Sequence, residues 1–355
     1  MAIHRLLPTS LLSCLCLAAA ASFSAVAQEP GRRLVEASGR ELVTPATQQA
    51  IDRGLRSLAD QQDPLDGSIG SGSNYKKNVA VTSLAGMAFL AAGHAPGRGE
   101  YGEVVDHALA FVLSRAKPNG YLVDDRYTSH GPMYGHGFAT LFLAEAYGMS
   151  EREDLREKLD KAVQLIISSQ NAEGGWRYEP GSPSADISVT VCEMMALRAA
   201  RNAGIAVPRE TVDRCLEYVT RSQNADGGFR YQLLNRAESR FPRSAAAVVA
   251  LYNTGKFQGP EIERGLDYLM RYLPDGRLIR YEPHYMYGHY YACQAMWHAG
   301  GDRWQKWYPA IRDELVQRQD PNGAWPGDAI CPEYGTAMAC LILQTPNNYL
   351  PIFQR

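Results

Sequence analysis

Several things are scarce in this chain, and each scarcity narrows the field. Its 36 lysines and arginines nearly balance 38 aspartates and glutamates, for a formal net charge of −2. No basic stripe appears, which argues against a nucleic-acid partner. Beyond the first 27 residues no apolar run is long enough to span a bilayer. No segment alternates apolar and polar residues in the manner of a strand. Cysteine is rare, at seven of 355 residues. Cys14 and Cys16 fall in an N-terminal leader, which leaves Cys192, Cys215, Cys293, Cys331 and Cys340. An odd number cannot all pair within the chain. Cys192, Cys293 and Cys340 lie in apolar helical runs, so buried thiols are expected rather than a disulfide framework.

The leader is a targeting segment. Arg5 supplies a positive start, Leu6 to Ala21 is mostly apolar, and Ala25-Val26-Ala27 is a small-residue cleavage site before Gln28. Residues 1–27 therefore read as a signal peptide, 28–45 as a loose lead-in, and the mature protein as periplasmic or secreted. What dominates the remainder is a recurring phrase. It reads Gln170-Asn-Ala-Glu-Gly-Gly-Trp176, then Gln223-Asn-Ala-Asp-Gly-Gly-Phe229, then Gln319-Asp-Pro-Asn-Gly-Ala-Trp325. Weaker copies occur at Gln62–Gly67, Lys117–Tyr121 and Leu273–Arg277. The terminal Gln can bond backbone groups that a helix end leaves unpaired. Asp or Asn before Gly makes a tight turn with positive φ, and the aromatic packs on a neighbour. A repeat of about 50 residues means stacked supersecondary units rather than separate domains. Six units begin near residues 46, 100, 151, 208, 260 and 304.

Each unit contains two helical patterns. Leu155, Leu159, Val163 and Ile166 define an amphipathic helix before the Gln170 turn, and Val189 to Ala203, apolar nearly all round, follows it. Val212, Leu216 and Val219, then Ser244 to Leu251, repeat the alternation. Six amphipathic outer helices and six apolar inner ones suit an all-α closed double ring over residues 46–355, with the inner helices around a central cavity.

The repeated Gln-x-x-x-Gly-x-Trp phrase resembles that of the terpenoid cyclase and protein prenyltransferase superfamily, and the resemblance covers most of the mature chain. It implies an α/α toroid. The strongest local match, Gly174 to Leu197, resembles the segment that carries the catalytic acid of squalene-type cyclases. Those enzymes use Asp-x-Asp-Asp, the middle Asp protonating an alkene; here the run is Asp186-Ile-Ser188-Val189, and a hydroxyl is far too weak an acid for that step. Protein prenyltransferases hold zinc with an Asp-x-Cys pair and a distant His. The resemblance places Asp186, Ser188 and Gly335 at those three positions, one ligand of three, so no metal and no cofactor are expected. The Cys-Gly-Glu-Gln of thioester toroids does not occur.

One internal coincidence goes beyond the resemblance. Met133-Tyr134-Gly135-His136 and Met286-Tyr287-Gly288-His289 are the same tetrapeptide, in units two and five, which oppose each other in a six-unit ring. Both histidines align with Thr190 and Thr336 near an inner-helix start. His130, His284, Tyr127, Tyr281, Tyr285, Tyr290 and Tyr291 lie nearby. Three readings of the histidines stay open: bonds to buried backbone, a ligand pocket shared with the tyrosines, or a general base or metal ligand. A metal shared by His136 and His289 would need walls much closer than such a ring allows, whereas His284, His289 and Glu282 could meet locally. Asp124-Asp125 reads as a loop or cap, Glu333 as an acid at a helix start, and Arg240 and Arg243 as ion-pair partners or an anion hook. The candidate cavity set is Tyr134, His136, Asp186, Tyr287, His289, Arg240, Arg243 and His284. The leading expectation is ligand or partner binding in the cavity, the ligand a lipid or a glycan. The alternative is an enzyme (lyase, hydrolase or cyclase-like isomerase) using cavity Tyr and His. A scaffold acting through its outer helices comes third.

Overall fold

A computed structural model describes residues 41–127, 131–275 and 283–354. The leader, residues 28–40 of the lead-in, residues 276–277 of the weak turn copy, and His130, Tyr281 and Glu282 lie outside the described residues. Among those described, twelve long helices alternate between an outer and an inner layer. The outer set is α1 (Pro45–Asp60), α3 (Gly102–Ser114), α5 (Asp154–Ser169), α7 (Arg209–Arg221), α9 (Pro260–Met270) and α11 (Gly301–Arg318). The inner set is α2 (Val79–Ala91), α4 (Pro132–Tyr147), α6 (Ile187–Asn202), α8 (Phe241–Asn253), α10 (Tyr285–Ala299) and α12 (Pro332–Gln344). Each inner helix packs on the next, and α12 returns to α2, so the inner ring closes. Outer α11 likewise meets α1. The fold is an all-α toroid; among the described residues β-pairing is confined to isolated bridges, most of them inside the recurring turns.

The turn phrase explains how the units interlock. The Gln170 carboxamide donates to Gly174 O at 2.8 Å and to Thr211 O, near the start of the next outer helix, at 2.9 Å. Gln223 bridges Gly227 O and Glu261 O in the same way. Gln62 bridges Gly67 O and Val104 O, and Gln319 bridges Gly323 O and Ala50 O, joining the last unit to the first. The expectation that this Gln satisfies its own helix end is corrected: it clamps its own turn to the following unit. Glycine is required at the centre of the clamp. Gly174 has φ 96°, and a Cβ there would stand 2.3 Å from Arg214 O on α7. The closing aromatic returns to its own outer helix, as Trp176 Nε1 donates to Ile166 O at 2.7 Å and Trp325 Nε1 to Leu315 O at 2.8 Å.

A second bond recurs in the same place. The backbone N–H of the residue closing the turn donates to a fixed position on the inner helix. The pairs are Ile69 with Thr82, Leu122 with His136, Trp176 with Thr190, Phe229 with Ser244, and Trp325 with Thr336. That position faces the outer layer, away from the ring axis.

The two ends of the ring differ. Segment 345–354 crosses the C-terminal ends of the inner helices, with Ile352 and Phe353 buried. Trp297 Nε1 donates to Phe353 O at 3.0 Å and Arg198 to Gln354 O at 3.0 Å. In the middle of the ring, α6 and α10, which are not neighbours, touch through Cys192 and Tyr291 and through Met195 and Tyr290. The space that remains lies at the N-terminal ends of the inner helices. All five cysteines of the described residues are free and buried.

Gln170→Ala removes two hydrogen bonds and leaves the Gly174 carbonyl without its partner at a unit junction, and is expected to destabilise the fold by about 1–3 kcal/mol. Chemical denaturation monitored by circular dichroism measures this; stability equal to wild type would show that the junction does not need the clamp.

Candidate functional site

A cavity of about 620 Å³ opens at the N-terminal end of the inner ring. Part of its wall is apolar, from Val81, Leu84 and Phe138 on the first two turns of α2 and α4. Another part is phenolic: Tyr75, Tyr134, Tyr178, Tyr231, Tyr287 and Tyr334 border the cavity. Ser188, Asn78, Arg240, Arg243 and His284 supply the remaining polar groups. Among the described lining residues there is no carboxylate.

The backbone holds these phenols in place. Tyr178 O accepts from Met133 N at 3.0 Å, and Tyr231 O accepts from Ile187 N at 3.0 Å. Each turn is thereby tied to the start of the preceding inner helix, and its tyrosine projects over the axis. The two hydroxyls meet at 2.5 Å. Across the ring, Tyr287 donates to Ser188 O at 2.9 Å. Burial, followed by several nearby anionic or phenolic groups, raises the Tyr134 and Tyr287 hydroxyls well above their ordinary range, so both are neutral donors.

The duplicated tetrapeptide divides in function. Tyr134 and Tyr287 border the cavity; His136 and His289 do not. Two residues along a helix are about 200° apart, so a tyrosine facing the axis puts the histidine two positions on against the outer layer. His136 is fully buried. Its Nδ1 accepts from Leu122 N at 3.2 Å and its Nε2 lies 3.2 Å from Ala162 O on α5. Unit two has no Gln in its turn, and His136 spans from the turn to the next outer helix. His289 is sealed among Tyr285, Phe241 of α8 and Trp307 of α11, with ring centroids at 4.3, 4.9 and 5.8 Å, and its Nδ1 has no hydrogen-bond partner. His136 thus takes the first of the three open readings, bonds to buried backbone, and His289 packs among rings; neither borders the cavity, which corrects their place in the candidate cavity set. Burial holds His136 at about 4 and His289 at about 3.

Asp186 is completely buried at the start of α6. One oxygen, Oδ1, accepts from Ser188 N at 3.0 Å and Val189 N at 2.9 Å, so the residue caps the helix. The other, Oδ2, is sealed from solvent without a hydrogen-bond partner. Burial pushes its pKa up to about 6, against the pull of the two N–H groups, Arg177 and the Tyr231 hydroxyl. Arg240 and Arg243 reach the cavity edge, but Glu238 pairs with them at 2.8 and 3.6 Å, and Arg243 also donates to Phe229 O at 3.1 Å. They are braced to their own loop rather than presented as an open anion hook. His284 lies exposed at the rim, with φ 62° at the start of α10. Asp124 is buried in an ion pair with Arg115 at 3.0 Å, and Glu333 accepts from the Ser71 hydroxyl.

The zinc site of the prenyltransferases does not fit this chain. A Cβ on Gly335 would stand 2.2 Å from Pro326 O, so no ligating side chain has room there. Among the described residues no group of three His, Cys, Asp or Glu side chains could hold a metal. The reading of the sequence missed Tyr178 and Tyr231. The signal was present, since Gly174-Gly-Trp-Arg-Tyr178 and Gly227-Gly-Phe-Arg-Tyr231 extend the turn phrase by the same two residues.

Comparison with known proteins agrees with this architecture. A prenyltransferase alpha-alpha toroid domain model matches residues 40–205, and a squalene-hopene cyclase C-terminal domain model matches residues 139–278. Taken together the two matches run from residue 40 to 278, and over that span the chain is similar to toroids of the terpenoid cyclase and prenyltransferase kind. Drimenyl diphosphate synthase of Streptomyces showdoensis is 30% identical over 154 residues, 43% of this chain and 26% of that protein. The Streptantibioticus cattleyicolor counterpart is 33% identical over 132 residues, 36% of this chain and 23% of that protein. The match thus spans about a quarter of these relatives' length. The type II terpene cyclase MstE from Scytonema superposes with TM-score 0.60 at 16% identity, covering 86% of this chain and 98% of that one. An α-1,6-mannanase of Salegentibacter superposes with TM-score 0.63 at 7% identity, covering 84% and 98%. At those identities the likeness is one of fold. Among the described residues no helix is long and apolar enough to cross a membrane.

The neutral, buried His136 has a consequence for acid stability. An unfolded histidine takes up its proton near pH 6.5, whereas the folded ring does so only at about 4. Its contribution is complete above 6.5 and is lost as pH falls through that window. His136→Gln is expected to cost about 1–3 kcal/mol near neutral pH. It should also give a shallower loss of stability between pH 6.5 and about 4. Urea melts across this range test both points; an unchanged acid limb would contradict the assignment.

Proposed function

We propose that the protein binds a small molecule with an apolar, isoprenoid-like body in the central cavity, and that the alkene-protonating chemistry of squalene-type cyclases is not retained. The observation that carries this reading is the mixed lining: aliphatic and aromatic carbon from Val81, Leu84 and Phe138, a set of phenols around it, and no carboxylate among the described lining residues. A cavity of this size and make-up, with few convergent polar groups, is what small-molecule sites generally show. Ser188 borders the cavity where the resemblance would place the acid, and a hydroxyl cannot protonate an alkene. Relatives by sequence make drimenyl diphosphate, by name, and MstE has been seen with geranylgeranyl dihydroxybenzoate; both support an isoprenoid-like body over a sugar. Glycoside hydrolysis calls for a pair of carboxylates flanking the bond, and the described lining residues include none. Export through the N-terminal leader forms part of the proposal and places the ligand outside the cytosol.

Native purification followed by organic extraction and mass spectrometry is expected to release a stoichiometric apolar compound. Leu84→Trp, which adds bulk at the apolar wall, should reduce its retention by about tenfold, equivalent to roughly 1.4 kcal/mol. Full retention of the compound by this variant, or none in wild type, would overturn the reading.

A further inference from the structure

The cavity has one polar connection to the interior that ligand binding alone does not account for. Asp186 Oδ2 is fully buried and unpartnered, while Oδ1 is saturated by two backbone N–H groups. A buried carboxylate oxygen without a partner is costly as an anion, and is relieved when it carries the proton. Tyr231 is held beside this carboxyl by its own carbonyl, which accepts at 3.0 Å from the N–H of Ile187, the residue after Asp186. Its hydroxyl favours the ionised form of Asp186 without making a hydrogen bond to Oδ2. That same hydroxyl meets the Tyr178 hydroxyl at 2.5 Å, and both phenols border the cavity. Acid, phenol and phenol thus run in sequence from the sealed start of α6 to the ligand space. Catalytic hydrogen bonds often tighten only once a ligand is in place.

We propose that Asp186, Tyr231 and Tyr178 form a proton-transfer chain that acts as a general acid toward an oxygen acceptor, a carbonyl or hydroxyl, on the ligand. The proposal rests on the cavity being a ligand site. In the step, the Tyr178 O–H bond breaks as its proton bonds to the ligand oxygen. Tyr178 recovers a proton from Tyr231, and Tyr231 recovers one from Asp186 Oδ2. The negative charge comes to rest on Asp186, where the Ser188 and Val189 N–H groups already point. The proton returns by the same route, so no oxidant or further reactant is consumed. Tyr178 is the group that would touch the ligand; Tyr231 and Asp186 act through it.

The surroundings suit a group that is neutral at rest. From the turn before α6, Arg177 favours the charged carboxylate and Glu173 is engaged with Ala185 N at 2.7 Å. Tyr134 of α4, Tyr218 of α7 and Tyr287 of α10 face it as neutral phenols, each raised chiefly by its own burial with Asp186 a lesser cause. On its own helix, Glu193 and Cys192 are buried and also raised. Ser188, whose backbone N–H bonds Asp186, is no substitute acid; the chain instead takes its proton from the residue two positions earlier.

Two readouts test the chain. Infrared difference spectra of the ligand-free protein, taken below and above about pH 6, should show a protonated carboxyl band that disappears on the alkaline side. Asp186→Asn, which keeps the oxygen that caps the helix, should lack the band, and Tyr231→Phe, which removes only a hydroxyl, should shift it. A band absent from wild type, or unaltered by Tyr231→Phe, overturns the proposal. The second readout uses β-ionone, a neutral isoprenoid ketone, as probe. Its bound carbonyl stretch should move to lower frequency as Asp186 becomes protonated, and Asp186→Asn and Tyr178→Phe should abolish that dependence while still binding the probe. A pH dependence that survives in Asp186→Asn overturns the chain. If wild type binds no β-ionone, the binding reading fails for this probe class, and the ligand-free spectra still decide on the chain.

Discussion

The carboxamide of a single glutamine, opening each clamped turn, is the contact on which the ring depends. It has two N–H groups and uses both, one on its own turn and one on the next outer helix. A helix pair of this kind cannot bury its apolar face alone and must be stacked. The clamp sets the angle between one unit and the next, and Gln319 makes the same contact with the first unit that Gln170 makes with the fourth. The turn glycine permits the approach, because any side chain would collide with the facing carbonyl. Closure thus draws on the same local contact at four of the unit junctions, with His136 taking its place between units two and three.

Fixing the turns also fixes the site. Once Trp176 and Phe229 are anchored, the residues two positions on, Tyr178 and Tyr231, are delivered to the axis with their carbonyls bound to the preceding inner helix. The cavity wall is therefore built largely from the ends of clamped turns and the first turns of inner helices. The far end is stopped by segment 345–354, and side chains of α6 and α10 fill the middle. Among the described residues the cavity opens at the N-terminal end of the inner ring, where phenols border it.

The architecture was legible because it is written as a repeat with a period and a turn chemistry, both of which act locally. The site was legible only in part. Tyr134 and Tyr287 were singled out for their duplication, but the same duplication drew His136 and His289 with them. A helix cannot turn residues two apart toward one face, and that rule alone separates the pairs. The alignment of His136 with Thr190 and Thr336 already held the answer: all three accept an N–H from a turn. Histidine occurs in unit two because the turn there lacks its glutamine, and the longer imidazole reaches the next outer helix in its place. Whether Arg240 and Arg243 were free or braced could not be read from sequence, since the answer depends on where Glu238 folds back. The buried, half-used carboxyl of Asp186 was equally hidden, because a helix cap and a proton store look alike until the burial of the second oxygen is known.

The central claim is that the space at the N-terminal end of the inner ring holds an apolar molecule with its polar end among the phenols. A crystal structure of the natively purified protein, taken without added ligand, tests this most directly. The account predicts continuous non-protein density running from Leu84 and Phe138 up to Tyr178 and Tyr231. A cavity filled only with ordered water bonded to the tyrosines, or closed by the side chains themselves, would contradict it.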